Sequence, residues 1–113
     1  MGAFFIHKGA KQMIEIQIEK NRISVKGHAG YAEPGKDIVC SAVSTLFQAF
    51  IASVEELTAD VITAEIQPGN SLIRYAVLSP VSLILLNSFI VGVEMIADEY
   101  PDYVRVKNLS GRG

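Results

Sequence analysis

A chain of 113 residues, half of them hydrophobic and 19% charged, has the size and composition of one folded domain. Ten basic against twelve acidic residues leave a net charge of −2, without the basic footprint that nucleic acid binding requires, so no direct nucleic acid contact is expected. The single cysteine, Cys40, excludes an internal disulfide, and with only His7 and His28 beside it the chain cannot assemble a full Cys/His zinc site. No metal or cofactor is expected.

Residues 1–12 show no sustained period and carry Lys8 and Lys11 without an acid. They are expected to be a flexible N-terminal extension or an expression remnant ahead of a single domain over 13–113. Four apolar residues at 3–6 fall short of the core of a signal peptide, which makes the cytoplasm the expected location. The rest of the chain keeps eight basic residues against all twelve acids and is mildly acidic.

From Ile14 the pattern alternates strictly, with Ile14, Ile16 and Ile18 set against Glu15, Gln17 and Glu19, as in a half-buried antiparallel strand. A turn near Asn21 returns the chain through Ile23 and Val25, which completes a hairpin ending at Gly27-His28. Gly30, Pro34 and Gly35 punctuate 29–36, which is expected to be a mobile loop. A long helix over 37–57 follows, with Asp37 as N-cap, Cys40 in the first turn, and an apolar stripe from Ile38 and Val39 through Phe47 to Val54. A second hairpin is expected over 61–66 and 72–77, around the turn 67–71.

Pro80 opens a second helix to about 98, apolar on almost every side. Its run over 81–96 is interrupted by Ser82, Asn87, Ser88, Gly92 and Glu94 and is shorter than the roughly 20 residues a bilayer span needs, so no membrane segment is expected. Alternation over 103–107 supplies a last strand. The order ββαββαβ predicts an α+β domain with an antiparallel or mixed sheet packed by two long apolar helices. Two such helices exceed what one small sheet covers, which predicts a homodimer with helical burial at its interface.

The chemistry concentrates between Gly27 and Ser44. A helix start and a nearby imidazole both favour a thiolate, the reactive form of cysteine, which makes Cys40 a candidate nucleophile with His28 as its partner. Each residue also has a plainer role. A lone cysteine among Ile38, Val39, Ala42 and Val43 is more often an inert buried thiol, and a histidine at a strand end is more often structural. Asp37 is first a helix cap. Ser44 lies one turn after Cys40 on the same face, where a serine commonly bonds back to the i−4 carbonyl. Tyr31 either meets a substrate or covers the core edge, and Gly30 and Gly35 also suit turn geometry alone.

The run Gly27-His28-Ala29-Gly30-Tyr31-Ala32, followed by Gly35-Lys36-Asp37-Ile38-Val39-Cys40-Ser41-Ala42-Val43-Ser44, resembles the signature of the Prp family of ribosomal-processing cysteine proteases. The order of elements over 13–107 is similar to that family's small α+β domain; residues 1–12 lie outside the likeness. Pro34, which would stiffen the loop, and Ser41, where a small apolar residue is more usual, depart from the pattern. The resemblance implies an endopeptidase that removes a short N-terminal extension from the precursor of large-subunit ribosomal protein number twenty-seven. It implies Cys40 as nucleophile, His28 as general base and acid, and Asp37 and Ser44 as supporting polar residues. Ala29, Gly30, Tyr31 and Gly35 fall in the substrate loop, and family members are dimers. The competing expectations are a non-enzymatic ribosome-associated assembly factor, for which Cys40 is core, and a thiol transferase or redox sensor, weakened by the lack of a resolving cysteine.

Overall fold

The structure, a computed structural model, describes residues 13–27 and 34–111, with residues 34–37 as backbone only. Its elements are β1 (Ile14–Ile18), β2 (Arg22–Lys26), α1 (Pro34–Leu57), β3 (Ile62–Glu65), β4 (Asn70–Tyr75), α2 (Pro80–Glu99) and β5 (Val104–Asn108). This is the expected ββαββαβ order. The strands form one five-stranded sheet in the order β3-β4-β2-β1-β5. Three neighbouring pairs are antiparallel and β1 with β5 is parallel, so the sheet is mixed. β1, expected as an antiparallel strand, has a partner of each kind.

Alternation explains the core. Ile14, Ile16 and Ile18 of β1, Ile23 of β2, Ile73 and Tyr75 of β4 and Val104 of β5 are buried on the face that carries both helices. The opposite face holds Glu15 with Arg105 and Lys107 at 3.9 Å each, and Arg22 with Glu19 at 3.3 Å. These exposed pairs add little stability.

α1 lays Val39, Val43, Phe47, Phe50 and Val54 on the sheet at helical spacing. α2 buries Ser82, Leu86, Phe89, Ile90 and Val93. The helices meet through Phe89, whose ring centroid lies 6.3 Å from Phe47 and 5.8 Å from Phe50, and through Gly92, where an added β-carbon would stand 2.9 Å from a Leu46 methyl. By length and composition both Ile38–Leu57 and Pro80–Glu99 pass as possible membrane spans, with hydropathies of 1.6 and 1.9. Their sheet-facing stripes consume only part of that apolar surface, and Ile38, Val81, Ile84, Val91 and Met95 remain exposed.

Several expected boundaries shift for identifiable reasons. α1 begins at Pro34, so part of the expected loop is helix and Asp37 lies inside the first turn instead of capping it. Proline is favoured at a helix's first position because its missing N–H would have no intrahelical partner there. In the second hairpin, Gly69 at φ +75° and the bond from the Asn70 amide to the Gln67 carbonyl (3.1 Å) turn the chain early, so β4 starts two residues sooner than expected. The start of α2 is secured by Ser79, its N-cap. Asp60 accepts from the Ser79 amide at 2.9 Å and the Ser79 hydroxyl at 2.7 Å, which ties the α1–β3 connection to α2.

Candidate active site

Cys40 stands at the seventh residue of α1, one turn further in than expected. Its amide is therefore in the helix's i→i−4 ladder and is not one of the unpaired N–H groups of the first turn. The direct helix-terminus effect, which fades within that turn, is correspondingly weaker than the sequence suggests. The side chain is free and half-buried. Val39 and Val43 on either side of it pack into the core, while Cys40 turns toward a cleft.

That cleft has a volume of about 480 Å³, within the usual range for ligand sites. Val43, Cys40 and Ser44 of α1 form one wall, and Ile14, Val25 and Gly27 from the ends of β1 and β2 form the floor. The other wall is the β3–β4 turn from Ile66 to Ser71. Among the described residues its lining is apolar or neutral, so a bound segment meets one reactive sulfur and a few hydroxyl, amide and carbonyl groups.

Gly27 fixes the strand end there. Its φ is +90°, a β-carbon on it would run into the Met13 carbonyl oxygen, and its amide donates to the Gly69 carbonyl at 3.0 Å. Only glycine meets these conditions unstrained. The chain thus leaves the cleft floor one peptide unit before His28. His28, Ala29, Gly30 and Tyr31 lie outside the described residues, and Gly35 and Asp37 are described only as backbone of α1. By helical spacing Asp37, Cys40 and Ser44 occupy one face of α1. Of the expected site residues the structure brings Cys40 and Ser44 together. Thr45, the next residue, returns its hydroxyl to the i−4 carbonyl of Ser41 at 2.8 Å.

Sequence reasoning missed the β3–β4 turn as part of the site. Gln67, Pro68 and Gly69 announce a turn, but nothing local to them says that it faces α1. It also missed a larger groove, of about 930 Å³, between the outer faces of α1 and α2. Ile38, Leu46, Gly92, Met95 and Ile96 make that groove mainly apolar, and Ser41, Thr45 and Glu99 are among its polar members.

A family model described as cysteine protease Prp matches residues 13–105. Two similar sequences are ribosomal processing cysteine proteases. That of Mycoplasma genitalium is 31% identical and is aligned over 87% of this chain and 98% of its own length. That of Mycoplasma pneumoniae is 30% identical over 81% of this chain and 91% of its own. Among solved structures, a Streptococcus mutans protein superposes with a TM-score of 0.77 at 26% identity, covering 90% of this chain and 98% of its own. The Staphylococcus aureus ribosomal processing protease Prp, crystallised with a substrate peptide, has the same fold, with a TM-score of 0.74 at 20% identity and coverage of 85% and 97%.

Proposed function

The chain belongs to the cysteine protease Prp family, and on that premise we propose that it uses a Cys40–His28 dyad to remove the N-terminal extension from the precursor of large-subunit ribosomal protein number twenty-seven. It is a cysteine protease, so the non-enzymatic assembly factor and the redox sensor are set aside. The observation that carries the assignment of residues is the position of the chain's one thiol. Cys40 lines a cleft whose floor ends at Gly27, the residue before His28.

In the proposed cycle the Cys40 thiolate attacks the peptide carbonyl, and the imidazolium of His28 gives its proton to the departing amine, which leaves a thioester. Neutral His28 then takes a proton from water as that water attacks the thioester. The product departs as its carboxylic acid, which loses its proton to solvent, and thiolate and imidazolium are restored. The negative oxygen of each tetrahedral intermediate needs a donor. The Cys40 amide is engaged in the helix, so we assign this part to the Ser44 hydroxyl, which lines the same cleft. Asp37, on the same face of α1, is assigned a supporting polar role. Ala29, Gly30 and Tyr31 are assigned, by their place in the motif, to the segment that meets the substrate, whereas Gly35, expected there too, lies in the first turn of α1.

Two further features complete the proposal. The apolar groove between α1 and α2, with Met95 and Ile38 more than 60% exposed, is the surface we assign to a second copy of the chain. The cytoplasm, where a lone thiol stays reduced, is the compartment that suits the chemistry. Mass spectrometry of the precursor peptide tests the function. Wild-type protein should release the extension at one bond and Cys40→Ala should not; equal cleavage by both would remove Cys40 from the mechanism.

A further inference from the structure

Resting on the proteolytic role of the Cys40 cleft, we propose that Ile66, at the end of β3, sets the size of the substrate side chain accepted beside the scissile bond. β3 pairs Ile62 with Tyr75 and Ala64 with Ile73, both buried on the helix side of the sheet. Alternation carries Ile66 to that same side, one residue past the last paired position, Glu65. It therefore reaches beyond the sheet into the cleft that Cys40 lines from the opposite wall.

Of the other apolar residues there, Val25 is half-buried, Pro68 lies exposed within the turn itself, and two belong to the core. Ile14 and Val43 are 4% and 2% exposed and already committed to the core, whereas Ile66 is 54% exposed. Burial of that surface is available to a ligand, and burial of apolar surface is what drives a side chain into such a site. Because Cys40 is the one ionisable group of the described lining and is committed to the reaction, an ionised side chain seated against Ile66 would be stripped of water without a partner. The side chain this wall selects is uncharged and apolar.

The wall is also held in place. The Gly27 amide bonds the Gly69 carbonyl at 3.0 Å and the Asn70 amide bonds the Gln67 carbonyl at 3.1 Å. The Ser71 hydroxyl joins both the amide and the carbonyl of Gln67 at 3.3 Å. Ile66 thus stands at the base of a braced turn and acts as a fixed stop, so the length of the incoming side chain must adjust to it.

The test is a set of peptides differing only at the residue next to the cleaved bond, alanine, leucine, phenylalanine or tryptophan, assayed by kcat/KM with the full chain. Ile66→Trp fills the cleft and should lower the phenylalanine and tryptophan peptides by about 10-fold relative to the alanine peptide. Ile66→Ala removes the stop and should reduce the preference for leucine over alanine by a similar factor, about 10-fold. Since Ile66 is half-exposed, the alanine variant also serves where the tryptophan variant folds poorly. Wild-type ratios in Ile66→Ala would overturn the assignment of Ile66 while leaving the protease intact. Failure of the wild type to cleave any peptide would overturn the proteolytic role and this assignment with it.

Discussion

Replacing Gly27 by alanine puts a side chain where the strand end has no room for one. The backbone there has φ +90°, which costs an L-residue about 1–2 kcal/mol. The new β-carbon meets the Met13 carbonyl oxygen, a backbone atom that cannot rotate aside. Moving Met13 disturbs Ile14, whose amide bonds the Tyr103 carbonyl at 2.8 Å and whose side chain is buried in the core. Overpacking of this kind typically costs about 1–3 kcal/mol, so Gly27→Ala should lose about 3 kcal/mol in all. For a domain of this size that corresponds to a fall in Tm of roughly 12 °C. Gly111 is the matched control, with φ +82° and nothing within 4 Å of an added β-carbon. Gly111→Ala should show at most the backbone cost of about 1–2 kcal/mol. Urea unfolding followed by circular dichroism, on both variants and the wild type, measures the difference. If Gly27→Ala were within about 0.5 kcal/mol of the wild type, as a neutral surface substitution would be, the steric account of this strand end would be wrong.

Three other perturbations probe separate parts of the account. Hydrogen bonds from Ser82 and Ser79 hold the Asp60 carboxyl below the ordinary aspartate value of 3.8; their stabilisation is present above that pH and is lost as pH falls through the lower folded value. Asp60→Asn should therefore be less stable than wild type at pH 6, with the gap closing below pH 3.8 in a series of thermal melts; a gap independent of pH would contradict the bonding pattern. Ser44→Ala should reduce kcat by about 10²-fold with KM little changed if its hydroxyl serves the oxyanion, and an unchanged kcat would leave Ser44 a bystander. Met95→Glu places a charge in the α1–α2 groove and should convert a dimer to a monomer in analytical ultracentrifugation; a wild-type monomer, or an undisturbed dimer in the variant, would assign that groove differently.

What the sequence makes legible follows from how local each signal is. The alternation of Ile14, Ile16 and Ile18 marks β1 because every second residue must be buried, and Pro80 marks the start of α2 because its ring suits a helix's first turn. Pro34 is ambiguous on the same grounds. A proline after a glycine-rich run suits a loop as well as a helix's first residue, and the loop reading sets Cys40 a full turn too close to the helix end. The alternation over 103–107 identifies a strand but contains nothing about β1 as its parallel neighbour, since that pairing spans most of the chain. Ile66 and the turn after it were invisible as a cleft wall for the same reason. Cys40 and Ser44 are legible as a pair because one helical turn separates them, which puts them on the same face of α1.

If Cys40 is the nucleophile, alkylation of the folded protein must abolish cleavage. Iodoacetamide should add one group, mapped to Cys40 by mass spectrometry, and cleavage of the precursor peptide should vanish in proportion, with excess peptide slowing both. A protein fully alkylated at Cys40 that still cleaves the peptide at the wild-type rate would contradict the mechanism.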